Sequence, residues 1–317
     1  MKVLILAGGF ATRLWPLTEN RAKPLLLLDG KTILAHLLEK IPENLEVILL
    51  TNKKFEKDFE SEIKLLDRQN FRIFCEDAFA DGEKLGALGA ISAAVQHFQI
   101  DENICVFAGD NLLPNLEIES LFCEDDEAKL AAFDVHDLFV ARNFGVVEVD
   151  QNGKLTKFEE KPKEPKSTLV STGFCSFGKN LFPIFHDFAK ENPDALGGIF
   201  EHFLHKKINV VAQKVNGEWF DVGHFDTYLA AHKELQKKEL KLGRKVIQEQ
   251  NMYSGKVFIG EGAVVKNCRI LNSIIYPGAR LENCHISESV IDENCKLAGV
   301  DLNRKLVRRG TALNNEQ

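Results

Sequence analysis

No stretch of this 317-residue chain approaches the roughly 18–20 consecutive apolar residues that a membrane-spanning helix needs. Blocks of lysine and arginine are also missing. The formal charge is −7 and the basic residues form no stripe, so nucleic acid is not an expected partner. The seven cysteines include no C-x-x-C pair and are odd in number, which argues against a disulfide frame or a zinc site and for free thiols. The chain opens directly on a strand pattern, without the succession of regions that marks a secretory leader. These absences predict a soluble, cytoplasmic protein. Two more bear on chemistry. The early glycine pair is not part of a G-x-G-x-x-G entering a helix, and no G-K-[ST] follows it at the spacing of a Walker loop, which excludes the dinucleotide fingerprint and the P-loop.

What is present fits a globular chain long enough for one large core and an appended module. Residues 3–7, 46–50, 72–75 and 105–108 read as strands apolar enough to be buried on both faces, with helical patterns between them at 32–41, 53–67 and 85–98. Thr32 is placed to cap the first of these. Such alternation implies an α/β fold: a Rossmann-like, mixed and mainly parallel sheet with helices on both faces. From about residue 129 the pattern turns β-rich, with Asn152-Gly153 as a hairpin signal. Helical patterns return at 180–190 and 199–207, and a last one follows "GEWFDVGHFDTY". The expected division is a catalytic domain over 1–238, a polar connector over 239–252, hexapeptide repeats over 253–301 and a tail over 302–317. In the repeats, apolar residues such as Ile259, Val264, Ile270 and Ile275 recur every five or six positions, the signature of a short left-handed parallel β-helix of about two coils. A meander of antiparallel strands is the alternative. Cys268, Cys284 and Cys295 are expected as small inward or turn residues. A stack this short must pack on the catalytic domain or on another subunit, so a homo-oligomer is expected.

Ligands of parallel α/β sheets sit beyond the carboxyl ends of the strands. Two loops fall there: Gly8-Gly9 with Arg13, Arg21 and Lys23 behind it, and "AGDN" around Asp110. Adjacent glycines let backbone N–H groups approach an anion, Arg13 adds a planar fork and Lys23 a mobile charge, so the first loop suits phosphates. A carboxylate facing phosphates needs a cation between them, and Mg²⁺ is the usual one. Asp221 is a second carboxylate at a strand end. It is open to a helix-capping role, for which Asp226 is at least as well placed.

At these residues the chain resembles the sugar-1-phosphate nucleotidylyltransferases, most nearly the glucose-1-phosphate thymidylyltransferases and the related uridylyl and mannose-1-phosphate guanylyl enzymes. The segments "LAGGFATRLWPLTENRAKPLL", "EKLGALGAI", "AGDN", "FGVVEVD…FEEKPKEPKSTLVSTG" and "WFDVGHFDTY" carry the likeness in the family's order. The resemblance implies that Ala7, Gly8, Gly9, Thr12, Arg13 and Lys23 hold a nucleoside triphosphate, with Gly86 beside the base. It implies that Asp110 and Asp221 bind Mg²⁺, and that Gly145, Glu160, Lys161, Thr172 and Gly173 hold a sugar 1-phosphate. Arg13, Lys23, Asp110 and Asp221 would carry catalysis. Two departures stand out: Ala11 replaces a glycine common in the family, and the segment before "EKLG" is long, leaving Glu76 and Glu83 as alternatives for reading the base. A non-catalytic binder of nucleotide sugars, and an acyltransferase built on the repeats around His285, are the competing classes.

Overall fold

The computed structural model describes residues 1–315. It divides into two compact units, one of Met1–Gly9 with His36–Trp219, the other of Phe10–Ala35 with Phe220 onward.

The first unit is built on a nine-stranded sheet. Lys2–Leu6 lies at its middle, parallel to Ile104–Ala108 on one side and to Val47–Asn52 on the other, and Phe71–Glu76 extends the parallel part. This central place explains why Val3, Leu4 and Ile5 are an unbroken apolar run: all three are fully buried. Beyond Ile104–Ala108 the sheet turns antiparallel through Leu169–Phe177, which is flanked by Gly145–Val149 and Glu127–Asp134. Gly145–Val149 and Leu155–Glu160 form the hairpin that Asn152-Gly153 announces, with Gly153 at φ +78°. Helices Ala87–His97, Phe182–Glu191 and Gly198–His205 close the core, where the Phe177 and Phe200 rings stack 5.8 Å apart.

The second unit is a parallel β-helix with a helix, Phe225–Leu235, and the loop 10–35. It carries five strands on each of two faces and four on the third, all parallel to their neighbours in the next coil. The stack is therefore longer than the two coils expected. Leu240–Leu242 already pairs with Val257–Ile259, and Lys296–Ala298 with Ala312–Asn314, so the expected connector and tail supply coils of their own. Residues 316 and 317 of that tail lie outside the described part. Spacing missed the end coils because each is covered on one side only: Ile247–Glu249 stays exposed, so selection for apolar residues is weak there. The antiparallel alternative is ruled out by the register. Val257, Ile259, Val265, Ile270, Leu281, Ile286 and Leu297 fill the interior, and Cys268, Cys284 and Cys295 are buried among them as expected. Asn267, Asn272, Asn283 and Asn294 take the left-handed corners, a conformation asparagine tolerates better than most residues. No helix among the described residues is long and apolar enough to cross a membrane.

Candidate active site

Within the first unit, Gly8 and Asp110 stand just past the carboxyl ends of neighbouring parallel strands. Ala7 N–H donates to Leu50 O at 2.8 Å and Gly109 N–H to Leu6 O at 2.9 Å, so Gly8 and Gly109 leave neighbouring strands side by side. The buried Asn52 side chain donates through Nδ2 to Gly8 O at 2.9 Å, and its Oδ1 has no partner among the described residues. A Cβ on Gly8 would stand 3.0 Å from Glu76 Oε1, whereas one on Gly9 would meet nothing within 4 Å. Gly8 thus makes room for a carboxylate, while Gly9 faces open space. The other Glu76 oxygen accepts from Leu85 N–H at 2.8 Å. Burial pushes the Glu76 carboxyl above its ordinary range, against the pull of that N–H and of Lys84. Gly86 follows at φ +79°, opening the helix Ala87–His97, and a Cβ there would strike Pro193 O at 2.5 Å. Glu83, by contrast, is exposed and closes its own turn on Phe79 and Ala80 N–H. Of the two acids before "LGALG", Glu76 is the one beside Gly8.

A second cluster begins one strand over. Asp110 Oδ1 accepts from Asn111 Nδ2 at 2.9 Å, and Asn111 Oδ1 accepts from Trp219 Nε1 at 2.8 Å. The Trp219 ring packs on Phe144 and Phe133. Gly173 lies at φ +80°, and a Cβ on it would come within 2.8 Å of the Ala108 methyl. Thr172 is buried and donates its hydroxyl to Ala131 O at 3.0 Å, inside the irregular step between Ser171 and Cys175. Farther along, Gly145 pairs with Glu160, and Cβ atoms on Gly145 and Gly197 would stand 3.1 and 2.4 Å from Glu160 Oε2. A side chain at either glycine would crowd this exposed carboxylate. Lys161 is held at φ +46°, donating its N–H to Phe144 O at 3.0 Å, with Nζ 3.3 Å from Glu160. Sequence reasoning missed Gly197 and Asn52. The signal for Gly197 was the Gly-Gly of "ALGGIF"; Asn52 offered none beyond its place at a strand end.

The remaining residues belong to the second unit. Thr12 and Arg13 sit exposed on the short turn Thr12–Leu14, entered through Ala11 at φ 47°. A non-glycine residue in this region is uncommon, and Thr18 Oγ1 holds it by donating to Ala11 O at 2.7 Å. Lys23, half-buried, opens the turn Lys23–Leu25. Asp221 accepts Gly223 N–H at its backbone oxygen, 2.8 Å away, and its carboxylate comes within 3.4 Å of where a Cβ on Gly223 would be. His224 is the N-cap of the helix Phe225–Leu235; Thr227, two residues into it, reaches back with Oγ1 to accept from Gly223 and His224 N–H, and Asp226 pairs with Arg304.

Among the described residues no three His, Cys, Asp or Glu side chains gather as a metal site. Asp110 in the first unit and Asp221 in the second each offer hard carboxylate oxygens, the donor type Mg²⁺ takes.

The chain matches the nucleotidyl transferase family model over residues 2–238. It is 30% identical to the bifunctional protein GlmU of Methanocaldococcus jannaschii over 83% of its length and 61% of that protein's. Identity to GlmU of Methanococcus maripaludis strain C7 is 32%, over 84% of this chain and 62% of the other. The chain thus spans about three fifths of the length of these relatives. It is 26% identical to the glucose-1-phosphate thymidylyltransferase of Streptomyces antibioticus, over 87% of this chain and 77% of that one. In fold it is similar to a crystallised Bacillus anthracis protein described as a glucose-1-phosphate thymidylyltransferase, with a TM-score of 0.65 and 24% identity, covering 75% of this chain and 96% of the other. On the family match, which takes in the glycine loop, Lys23, Asp110, Glu160 and Asp221, the chain belongs to the nucleotidyl transferase family.

Proposed function

We propose that the protein is a sugar-1-phosphate nucleotidylyltransferase. A phosphate oxygen of a hexose 1-phosphate bonds to the α-phosphorus of a nucleoside triphosphate, the bond to the β-phosphate bridging oxygen breaks, and pyrophosphate leaves with that electron pair. The attacking phosphate is already ionised at neutral pH, so no general base is needed, and the motifs contain none. Catalysis is then positioning and charge stabilisation. Ala7, Gly8, Gly9 and Thr12 line the nucleotide loop, Arg13 takes the β- and γ-phosphates and Lys23 the α-phosphate. Asp110 and Asp221 would hold Mg²⁺, which when bound neutralises phosphate oxygens. Glu160 takes sugar hydroxyls, Lys161 the sugar's phosphate, and Gly145, Thr172 and Gly173 shape that side. The observation that carries the reading is the strand-end cluster of one unit: an open Gly9, the Glu76 carboxylate beside Gly8 and on Leu85 N–H, and Asp110 one strand away.

Glu76, beside Gly8, is the candidate for reading the base. The names of the relatives favour dTTP and glucose 1-phosphate. A uridylyl or mannose-1-phosphate guanylyl transfer is the alternative, and a non-catalytic nucleotide-sugar binder the alternative class. We place the catalytic domain at 1–238 and the enzyme in the cytoplasm as a homo-oligomer. The test is pyrophosphate release with Mg²⁺ from a matrix of the nucleoside triphosphates against several hexose 1-phosphates. Turnover is expected with dTTP or UTP and glucose 1-phosphate; silence across the matrix removes the proposal.

A further inference from the structure

Both ends of the turn that carries Lys23 are tied to side chains of the β-helix and of the helix Phe225–Leu235. Two residues before Lys23, the Arg21 guanidinium donates to Asp292 Oδ1 at 3.0 Å and to Glu293 Oε1 at 2.6 Å, and it lies 4.8 Å over the Tyr276 ring. Asp292 is 2% exposed, and Arg309 holds the second oxygen of Glu293 at 3.0 Å. Four residues after Lys23, both backbone groups of Leu27 are taken by phenols. Leu27 N–H donates to Tyr276 Oη at 2.9 Å, and the Tyr228 hydroxyl donates to Leu27 O at 2.6 Å. The two phenol oxygens are 2.8 Å apart. Proton counting fixes the direction of that last bond. A carbonyl only accepts, so Tyr228 spends its one proton on Leu27, and Tyr276 must donate to Tyr228. The result is a closed ring of three bonds. Both tyrosines are buried, so water cannot replace a lost member.

We propose that this clamp positions Lys23. Tyr276, Asp292 and Glu293 of the β-helix, with Tyr228, fix the turn Lys23–Leu25 from both sides, and the repeats serve the reaction rather than merely covering an apolar surface. The inference rests on the reading that Lys23 serves nucleotidyl transfer. Arg21, Tyr228 and Tyr276 are positioning residues that act through Lys23. A three-residue 3₁₀ turn has little stability of its own. A cation meant to meet charge as it develops gains most when its place is set in advance.

Tyr276→Phe and Tyr228→Phe each open the ring, and Ile286→Ala, in the β-helix interior away from the loop, is the control. Ile270→Val replaces the control if Ile286→Ala does not fold. Amide hydrogen exchange of residues 23–28 and steady-state pyrophosphate release are read together. In each ring variant exchange at 23–28 should quicken, and kcat should fall roughly tenfold or more with KM for both substrates little changed. The control should leave exchange at 23–28 and kcat as in the unaltered protein even where it lowers Tm as much. In a Lys23→Ala background, Tyr276→Phe should cost nothing further in kcat. Equal effects of control and ring variants, or losses that multiply in the Lys23→Ala background, overturn the inference. If the unaltered protein releases no pyrophosphate from any substrate pair, the reading of function fails by itself. Exchange then still decides the clamp: unchanged rates in Tyr276→Phe dismiss it, and faster rates at 23–28 uphold it.

Discussion

Lys23 and Asp110 carry opposite charges and lead to the same expectation. If each stabilises charge at the phosphorus undergoing attack, Lys23→Ala and Asp110→Asn should each remove about 2.7–4 kcal/mol of transition-state stabilisation, a hundred- to thousandfold in kcat. Neither lies in a hydrophobic cluster, so thermal unfolding should stay near that of the unaltered protein. Near-normal turnover by either variant ends its assigned role. At this scale the sequence was legible where a residue follows directly on a strand, as the glycine pair follows Lys2–Leu6 and Asp110 follows Ile104–Ala108. It was not legible where the partner is distant in the chain. Gly197 matters because it makes room for Glu160, and Glu76 because Gly8 does the same for it. Spacing holds no record of such contacts. The acids offered as caps near Phe225 show the converse: two suitable residues stood in the right window, and the N-cap position fell to His224 with Thr227 reaching back to it.

At the scale of elements, the parallel strands were readable because burial on both faces demands continuous apolar runs, and Lys2–Leu6 meets that demand fully. The β-helix was readable only in its middle coils, which are covered above and below. Its first coil begins at Leu240, in a stretch whose polar composition reads as a linker. The helix Phe225–Leu235 explains why the coils cannot be dispensable. Tyr228, His232 and, just past its end, Gln236 form an i, i+4, i+8 stripe that is fully buried, and the two Gln236 Nε2 protons are shared among the Lys238, Glu239 and Val257 carbonyls. Ending the chain at Lys245 removes Val257 and Tyr276, and so exposes this stripe and breaks the ring at Leu27. The truncated protein should aggregate or change its oligomeric state, and what stays soluble should have lost most of its kcat. A soluble, equally active truncation, seen by size-exclusion chromatography and pyrophosphate release, refutes this role for the repeats.

For the whole molecule, one contribution to stability against pH comes from a residue that no motif marks. His232 is sealed from solvent, and burial pushes its imidazole down to about 4, against the weaker pull of the Lys256 backbone and Asp29; Lys233 and Lys256 add to the depression. The folded protein therefore keeps this ring neutral under conditions where the unfolded chain, with an ordinary value near 6.5, takes up a proton. Between these limits the unfolded state binds more protons, so stability rises with pH and is lost as pH falls from about 6.5 toward 4. At about 1.4 kcal/mol for each pH unit of difference, the loss over that window is on the order of 3 kcal/mol. His232→Leu keeps an apolar side chain of similar bulk in the same stripe and has no proton to gain. Urea midpoints measured at pH 7 and pH 5 should fall markedly for the unaltered protein and much less for His232→Leu. Because the ring lies on the helix that also bears Tyr228, the acid-sensitive step and the clamp on Lys23 share one element. Exchange at residues 23–28 should accordingly quicken in the same pH window, and a midpoint shift identical in the two proteins would show that the acid sensitivity lies elsewhere.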